Sequence, residues 1–308
     1  MGKIAFVFPG QGAQSVGMGK DAYAAHEGAK RVFDEADKAL GYSLSSLIFE
    51  GPEDELKITY HTQPALLTAS VAYLEVFRQK GIVPDFTAGH SLGEYSALVA
   101  SGVLGFEDAV RTVRARGEFM EQAVPGGLGA MAAVLGAERG ALDELCRSVS
   151  ADTGAVELAN INCPGQIVVS GTREGVQAVV DRAKEIGAKR AIPLEVSGPF
   201  HSSLMKPASE KLADVLADVS LQEAIVPVVA NVTARPVTSP DEIKGLLVRQ
   251  VYSPVLWEDT VAWLIEQGVD TFVEIGSGTV LAGLIKKVSR SVKVVSVNSL
   301  EAALQAEI

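Results

Sequence analysis

Between Gly129 and Val196 the chain reads strand, helix, strand, strand, helix, strand, an order that very few folds accommodate. Apolar, strand-compatible runs fall at Gly129 to Leu135, Val156 to Ile161, Gln166 to Ser170 and Ala191 to Val196, and helical periodicity fills Glu138 to Val149 and Glu174 to Ile186. A turn at Pro164 and Gly165 separates the two middle strands. On either side of this ferredoxin-like order, single strands alternate with helices. Before it come the strand Lys3 to Phe8, a helix over His61 to Lys80 that is apolar nearly all round after Pro64, and the strand Phe86 to Gly89. After it come helices near Lys206 to Ala217, Glu242 to Val251, Asp259 to Gln267 and Val280 to Val288, with strands near Val226 to Asn231, Thr271 to Ile275 and Val292 to Val297. Such alternation predicts an α/β architecture with a largely parallel sheet, interrupted by a complete small fold. The expected division is 1–125 with 198–308 as one unit and 126–197 as the insert.

The 308 residues suffice for a sizeable core, and 47% hydrophobic with 21% charged content is that of a folded globular protein. A net charge of -11 argues against a nucleic-acid binder, which needs a basic surface to meet phosphates. Cys146 and Cys163 form no C-x-x-C pair and read as small buried hydrophobes. The apolar run Ile4 to Phe8 is too short for a signal-peptide core, and no run reaches membrane-spanning length. The expectation is a cytoplasmic protein without membrane contact, with no metal site and no obligate assembly.

Residues 89 to 94, GHSLGE, place Ser91 between Gly89 and Gly93 after a strand and before a helix. This G-x-S-x-G spacing presents a serine hydroxyl at a tight corner, because small residues two positions away let strand and helix approach closely. A serine needs a base, and four histidines are available. His26 lies in a polar helical stretch, His61 starts a helix, and His90 adjoins the serine in a sharp turn where neighbours rarely face each other. His201, in "VSGPFHSSLM", sits in a loop after a strand and is the best candidate base. Between Ser91 and His201, Asp143 and Asp181 fall inside predicted helices, Asp108 at a helix start and Asp152 in a loop, so no triad acid stands out. Some other group, such as a backbone carbonyl, is then needed to orient the histidine.

In the helix Glu107 to Gln122, at about 100° per residue, Arg116 falls on the apolar stripe of Ala109, Val113 and Met120, while Arg111 and Arg114 point away. An arginine there needs a partner. Either it makes a structural ion pair or snorkels, or it is a socket for a substrate carboxylate. Acyl transfer also requires donors for the developing oxyanion. The backbone N–H of Leu92 at the helix start and that of Gln11 in the turn "PGQGAQ" suit that role. "EIGSG" at 274–278 reads as a close-packed strand-to-helix turn rather than a phosphate site.

Taken together, "FPGQGAQ" at 8–14, "TQPA" at 62–65, "GHSLGE" at 89–94, "RARG" at 114–117, "NCPGQIVVSG" at 162–171, "GPFHS" at 198–202 and "QVYSPVLW" at 250–257 make the chain resemble the malonyl-CoA:acyl-carrier-protein transacylases of bacterial fatty-acid synthesis, relatives of polyketide-synthase acyltransferase domains. The resemblance covers essentially the whole chain. It departs at Ser277, where the family more often has proline.

The resemblance implies a hydrolase-like large subdomain with a mainly parallel sheet and an inserted ferredoxin-like small subdomain. By position, Ser91 would carry the acyl group, His201 would act as base and then acid, and the carbonyl of Gln250 would orient His201. Gln11 and Leu92 would form the oxyanion hole, Arg116 would hold the malonyl carboxylate, and Met120, Asn162 and Phe200 would line the pocket. Phe200 and Leu92 also match the pattern that accompanies malonyl rather than methylmalonyl selection in related domains. The implied reaction is ping-pong, with malonyl-CoA as substrate, no permanently bound cofactor, and the phosphopantetheine thiol of an acyl carrier protein as acceptor. Because carrier proteins are usually acidic, Lys189 with Arg190, or Lys286, Lys287 and Arg290, are candidate docking residues, and a solvated charged face is the alternative. A serine esterase or thioesterase and a noncatalytic acyl-binding protein are the rival functions.

Overall fold

The computed structural model describes residues 2–308. In chain order the strands are β1 (Lys3–Phe8), β2 (Phe86–Gly89), β3 (Gly129–Leu135), β4 (Val156–Cys163), β5 (Gln166–Thr172), β6 (Arg190–Pro193), β7 (Val228–Ala230), β8 (Arg235–Val237), β9 (Val269–Ile275) and β10 (Lys293–Val297). They form a six-stranded sheet, β10-β9-β1-β2-β7-β8, and a separate four-stranded sheet, β4-β5-β3-β6. The larger sheet is parallel from β10 to β7, and β8 closes its edge antiparallel to β7. Nothing in the hydrophobic pattern announces β8. It is three residues long and contains Pro236, whose missing N–H suits an edge strand.

Alternation along β1 shows how the larger sheet is buried on both faces. Phe6 and Phe8 pack into the core around the helix Thr59–Phe77, whereas Ala5 and Val7 face Trp257, Val261 and Leu281 from the helices Trp257–Glu266 and Val280–Val288. The helix Thr59–Phe77 is buried nearly all round, as its apolar run predicts, and it tolerates Pro64 in its second turn.

The smaller sheet is antiparallel throughout. Its order, with the helices Arg139–Asp152 and Arg173–Arg182 packed through Leu142, Leu145, Val149, Val176 and Val179, is the ferredoxin-like arrangement expected from the sequence. Several boundaries differ from expectation: β4 and β5 each run two residues further, to Cys163 and Thr172, and the second helix ends at Arg182, before a short 3-10 turn over Ala183–Ile186. The first of these helices runs through Asp152, and β6 stops at Pro193 rather than Val196. After a last bond from Leu194 N to Met131 O, the chain leaves the sheet edge, and Leu194 and Val196 turn into a cavity. The segment Val255–Leu256 links β4 to the end of β7: Ile161 N donates to Val255 O and Val255 N to Ala159 O, both at 2.9 Å, and Leu256 N donates to Asn231 O at 3.0 Å.

The carboxyl ends of the neighbouring parallel strands β1, β2 and β7 lead directly into Pro9–Gln11, His90–Ser91 and Asn231. Loops at this end of a parallel sheet are where such folds build their sites.

Candidate active site

Ser91 stands at the corner between β2 and the helix Gly93–Ala100 with a φ of 50°, a left-handed conformation uncommon for a serine. The corner closes only because its flanks are glycines. A Cβ on Gly89 would lie 1.9 Å from the carbonyl of Gly93, and one on Gly93 would lie 2.0 Å from Phe8 O. Asn231, at the end of β7, holds the strained turn from the other side: Ser91 N donates to its Oδ1 at 2.7 Å, and its Nδ2 donates to Gly89 O at 2.6 Å.

His201 meets the serine from the loop between β6 and the helix Lys206–Asp218, with a φ of 58°. Its Nε2 is 2.8 Å from Ser91 Oγ, and its Nδ1 is 2.8 Å from the carbonyl of Gln250. A carbonyl only accepts, so Nδ1 carries the proton and Nε2 presents a lone pair to the hydroxyl. Burial, together with the Arg116 guanidinium, pushes His201 down to about 3, which keeps the imidazole neutral and ready to take a proton.

Arg116 is 1% exposed. Its Nη1 donates to Gln63 Oε1 at 2.7 Å, and its Nη2 donates to Gln250 Oε1 at 2.9 Å and to Ser91 Oγ at 3.1 Å. Among the described residues no carboxylate lies within 4.0 Å of this guanidinium, and its Nε is buried without a partner. The stripe reading of its helix holds: Ala109, Val113 and Met120 are buried beside it, while Arg111 and Arg114 pair with surface glutamates. The structural ion pair considered from the sequence does not form.

These groups border a cavity of about 130 Å³ whose walls are Met120, Met131, Leu194, Val196 and Phe200. Leu92 and Gln11 also line it, and among the described residues neither backbone N–H has a hydrogen-bond partner. Two donors on residues that line the same cavity as Ser91 are suited to an oxyanion. Asn162 does not border the cavity. It lies one step further along the same face of β4 than Asn160, which does, and its Oδ1 pairs with His90 Nε2 at 2.8 Å. His90 itself borders the cavity, held against Trp257, with burial lowering its tendency to protonate.

The remaining histidines are structural. His26 Nδ1 caps the helix Glu27–Leu40 by accepting from Ala29 N, and His61 packs on Tyr60 and Tyr42. Cys146 and Cys163 are buried, and burial pushes the Cys146 thiol up to about 12. The turn at "EIGSG" is close-packed, and Glu274 receives Leu281 N and Ala282 N at the start of the following helix. Lys189, Arg190, Lys286, Lys287 and Arg290 are exposed and none borders the cavity.

Three contributors escape the sequence reading. Gln63 is the single amide on a helix buried nearly all round, a signal that could have been used. Glu94 and Asn231 gave none: the first looks like an ordinary acid in a first helical turn, the second like a loop residue. Glu94 is buried, and that burial raises its carboxyl to about 7. Among the described residues no group of three or more His, Cys, Asp or Glu side chains is placed to hold a metal ion, and no helix is long and apolar enough to cross a membrane.

Comparison with known proteins follows the same lines. The acyl transferase domain family matches residues 5–307. A malonyl CoA-acyl carrier protein transacylase of Bacillus subtilis (strain 168) is 58% identical over 308 residues, 99% of this chain and 97% of the relative. An acyl carrier protein S-malonyltransferase from Vibrio cholerae superposes with a TM-score of 0.94 at 45% identity, covering 96% of this chain and 97% of that one. A malonyl-transacylase solved in complex with its type II PKS acyl-carrier protein gives a TM-score of 0.95 at 45% identity, over 99% and 98% of the two chains.

Proposed function

The chain belongs to the acyl transferase domain family and transfers malonyl from malonyl-CoA to acyl carrier protein, and we propose that it does so through an ester on Ser91. The observation that carries this reading is Arg116, a buried guanidinium with neutral partners that donates to the nucleophile's own oxygen. A cation buried without a carboxylate is costly unless a ligand supplies one. A malonyl carboxylate gripped by two parallel hydrogen bonds would do so, and would set its thioester carbonyl over Ser91.

In the first half-reaction His201 Nε2 takes the Ser91 proton as Oγ attacks the thioester carbonyl. The oxyanion rests on the N–H groups of Leu92 and Gln11. Collapse breaks the C–S bond, and His201 returns the proton to the CoA sulfur. In the second, His201 takes the proton of the phosphopantetheine thiol, sulfur attacks the ester carbonyl, and the C–O bond breaks with the proton going back to Ser91 Oγ. The Nδ1–H bond to the Gln250 carbonyl holds the imidazole through both transfers. Neutralising Arg116 with the substrate carboxylate removes part of what depresses His201, so the bound complex makes it a stronger base.

Met120 and Phe200 wall the acyl group, and Asn162 acts on the pocket through His90. The working division is 1–125 with 198–308 as the catalytic subdomain and 126–197 as the insert. The enzyme works in the cytoplasm as a monomer without a permanently bound cofactor, and the carrier protein docks on Lys189 and Arg190 or on Lys286, Lys287 and Arg290. Incubating the protein with malonyl-CoA, with and without phosphopantetheinylated carrier protein, tests the function. Malonyl should appear on the carrier protein, and prompt release of malonate with none on the carrier protein would indicate a thioesterase.

A further inference from the structure

The Gln250 side-chain amide is held at both ends. Arg116 has only donors, so the atom 2.9 Å from its Nη2 must be the Gln250 oxygen. The Gln250 nitrogen donates to Glu94 Oε2 at 2.8 Å and to Ser91 O at 3.0 Å, with Asn231 Oδ1 at 3.3 Å. Glu94 Oε2 also receives Asn231 N at 3.1 Å, so this atom is an acceptor whether or not the carboxyl carries a proton elsewhere. Glu94 is 2% exposed, and Gln250 and Asn231 are fully buried, so water cannot substitute for any of these contacts.

We propose that Glu94 is a positioning residue for the malonyl reaction: through the Gln250 amide it fixes where the Arg116 guanidinium points. A rotated amide would put two N–H groups against a donor-only guanidinium, and Arg116 would lose one of the two side-chain oxygens that aim it at the space above Ser91. Glu94 does not touch the acyl group. Through the Gln250 amide it acts on one substrate feature, the carboxylate, whereas its bond from Asn231 N bears on the Ser91 corner and so on every acyl group, and a loss selective for malonyl separates the two. The assignment rests on Arg116 receiving the malonyl carboxylate.

The test compares E94M, which removes the acceptor at similar size, with E94Q, which restores one. Steady-state acylation is measured with malonyl-CoA and with acetyl-CoA, alongside thermal unfolding. E94M should lose about tenfold in kcat/KM for malonyl-CoA, chiefly through KM, with acetyl-CoA changed by less than about threefold. E94Q should recover most of the loss. If E94M does not fold, E94L carries the test, since it removes the same acceptor with a side chain of different shape. Equal losses for the two substrates, or no loss with malonyl-CoA, would overturn the proposal. R116A is the internal control: selective malonyl loss in R116A with none in E94M or E94L refutes the Glu94 role alone, whereas parallel losses in R116A refute the carboxylate socket itself.

Discussion

The guanidinium of Arg116 and the hydroxyl of Ser91 are 3.1 Å apart, so the group proposed to select the acyl chain also touches the atom proposed to attack it. Selection and chemistry are thereby joined. On the proposed reading, an acyl group with a terminal carboxylate is drawn to Ser91, and one without it leaves the buried cation with neutral partners alone.

Replacing Arg116 with alanine should lower malonyl transfer by about a hundredfold or more, from the loss of two charge-assisted hydrogen bonds, while acetyl transfer falls far less. Steady-state kinetics with the two CoA esters check this. Parallel losses would assign Arg116 a purely structural role.

Burial of His201, reinforced by the same arginine, sets a pH dependence. His201 must be neutral to act as base, and with its protonation pushed down to about 3, kcat/KM for acetyl-CoA should stay nearly level as the pH falls from 8 toward 5. Removing the Arg116 charge takes away one of the influences that disfavour the imidazolium, so the acid limb of R116A should move to higher pH. A limb near the ordinary histidine value of about 6.5 in the unaltered protein would contradict this assignment.

Much of this site is legible in the sequence because its parts lie in short local patterns. Ser91 announces itself through Gly89 and Gly93, and Arg116 through its place on an apolar stripe. The small fold is legible because strand and helix periods switch in a distinctive order. Glu94, Asn231 and the side chain of Gln250 are not, because their significance arises only where α-helical and strand termini distant in sequence converge on one buried network. β8 escapes for a related reason: three residues containing a proline carry too little pattern to read.

Gly93→Ala should be severely destabilising, because a methyl group there would sit 2.0 Å from Phe8 O on a neighbouring strand of the sheet. A loss of more than about 3 kcal/mol, or failure to fold, is expected in thermal or urea unfolding. Near-normal stability would mean the corner is looser than its geometry indicates.

Charge reversal at Lys189 and Arg190, or at Lys286, Lys287 and Arg290, should impair transfer to the carrier protein and leave acylation by malonyl-CoA intact. The two half-reactions are measured separately, with transfer rates compared at low and high salt. Unchanged transfer in both sets would remove these residues from the docking surface.

The central claim is a covalent one: Ser91 Oγ, with its proton drawn to His201, takes the malonyl group. Intact-protein mass spectrometry after brief exposure to malonyl-CoA should show one added malonyl group on the unaltered protein, none on S91A, and loss of the adduct when carrier protein is supplied. An unmodified mass for the unaltered protein, or an equal adduct on S91A, would contradict it.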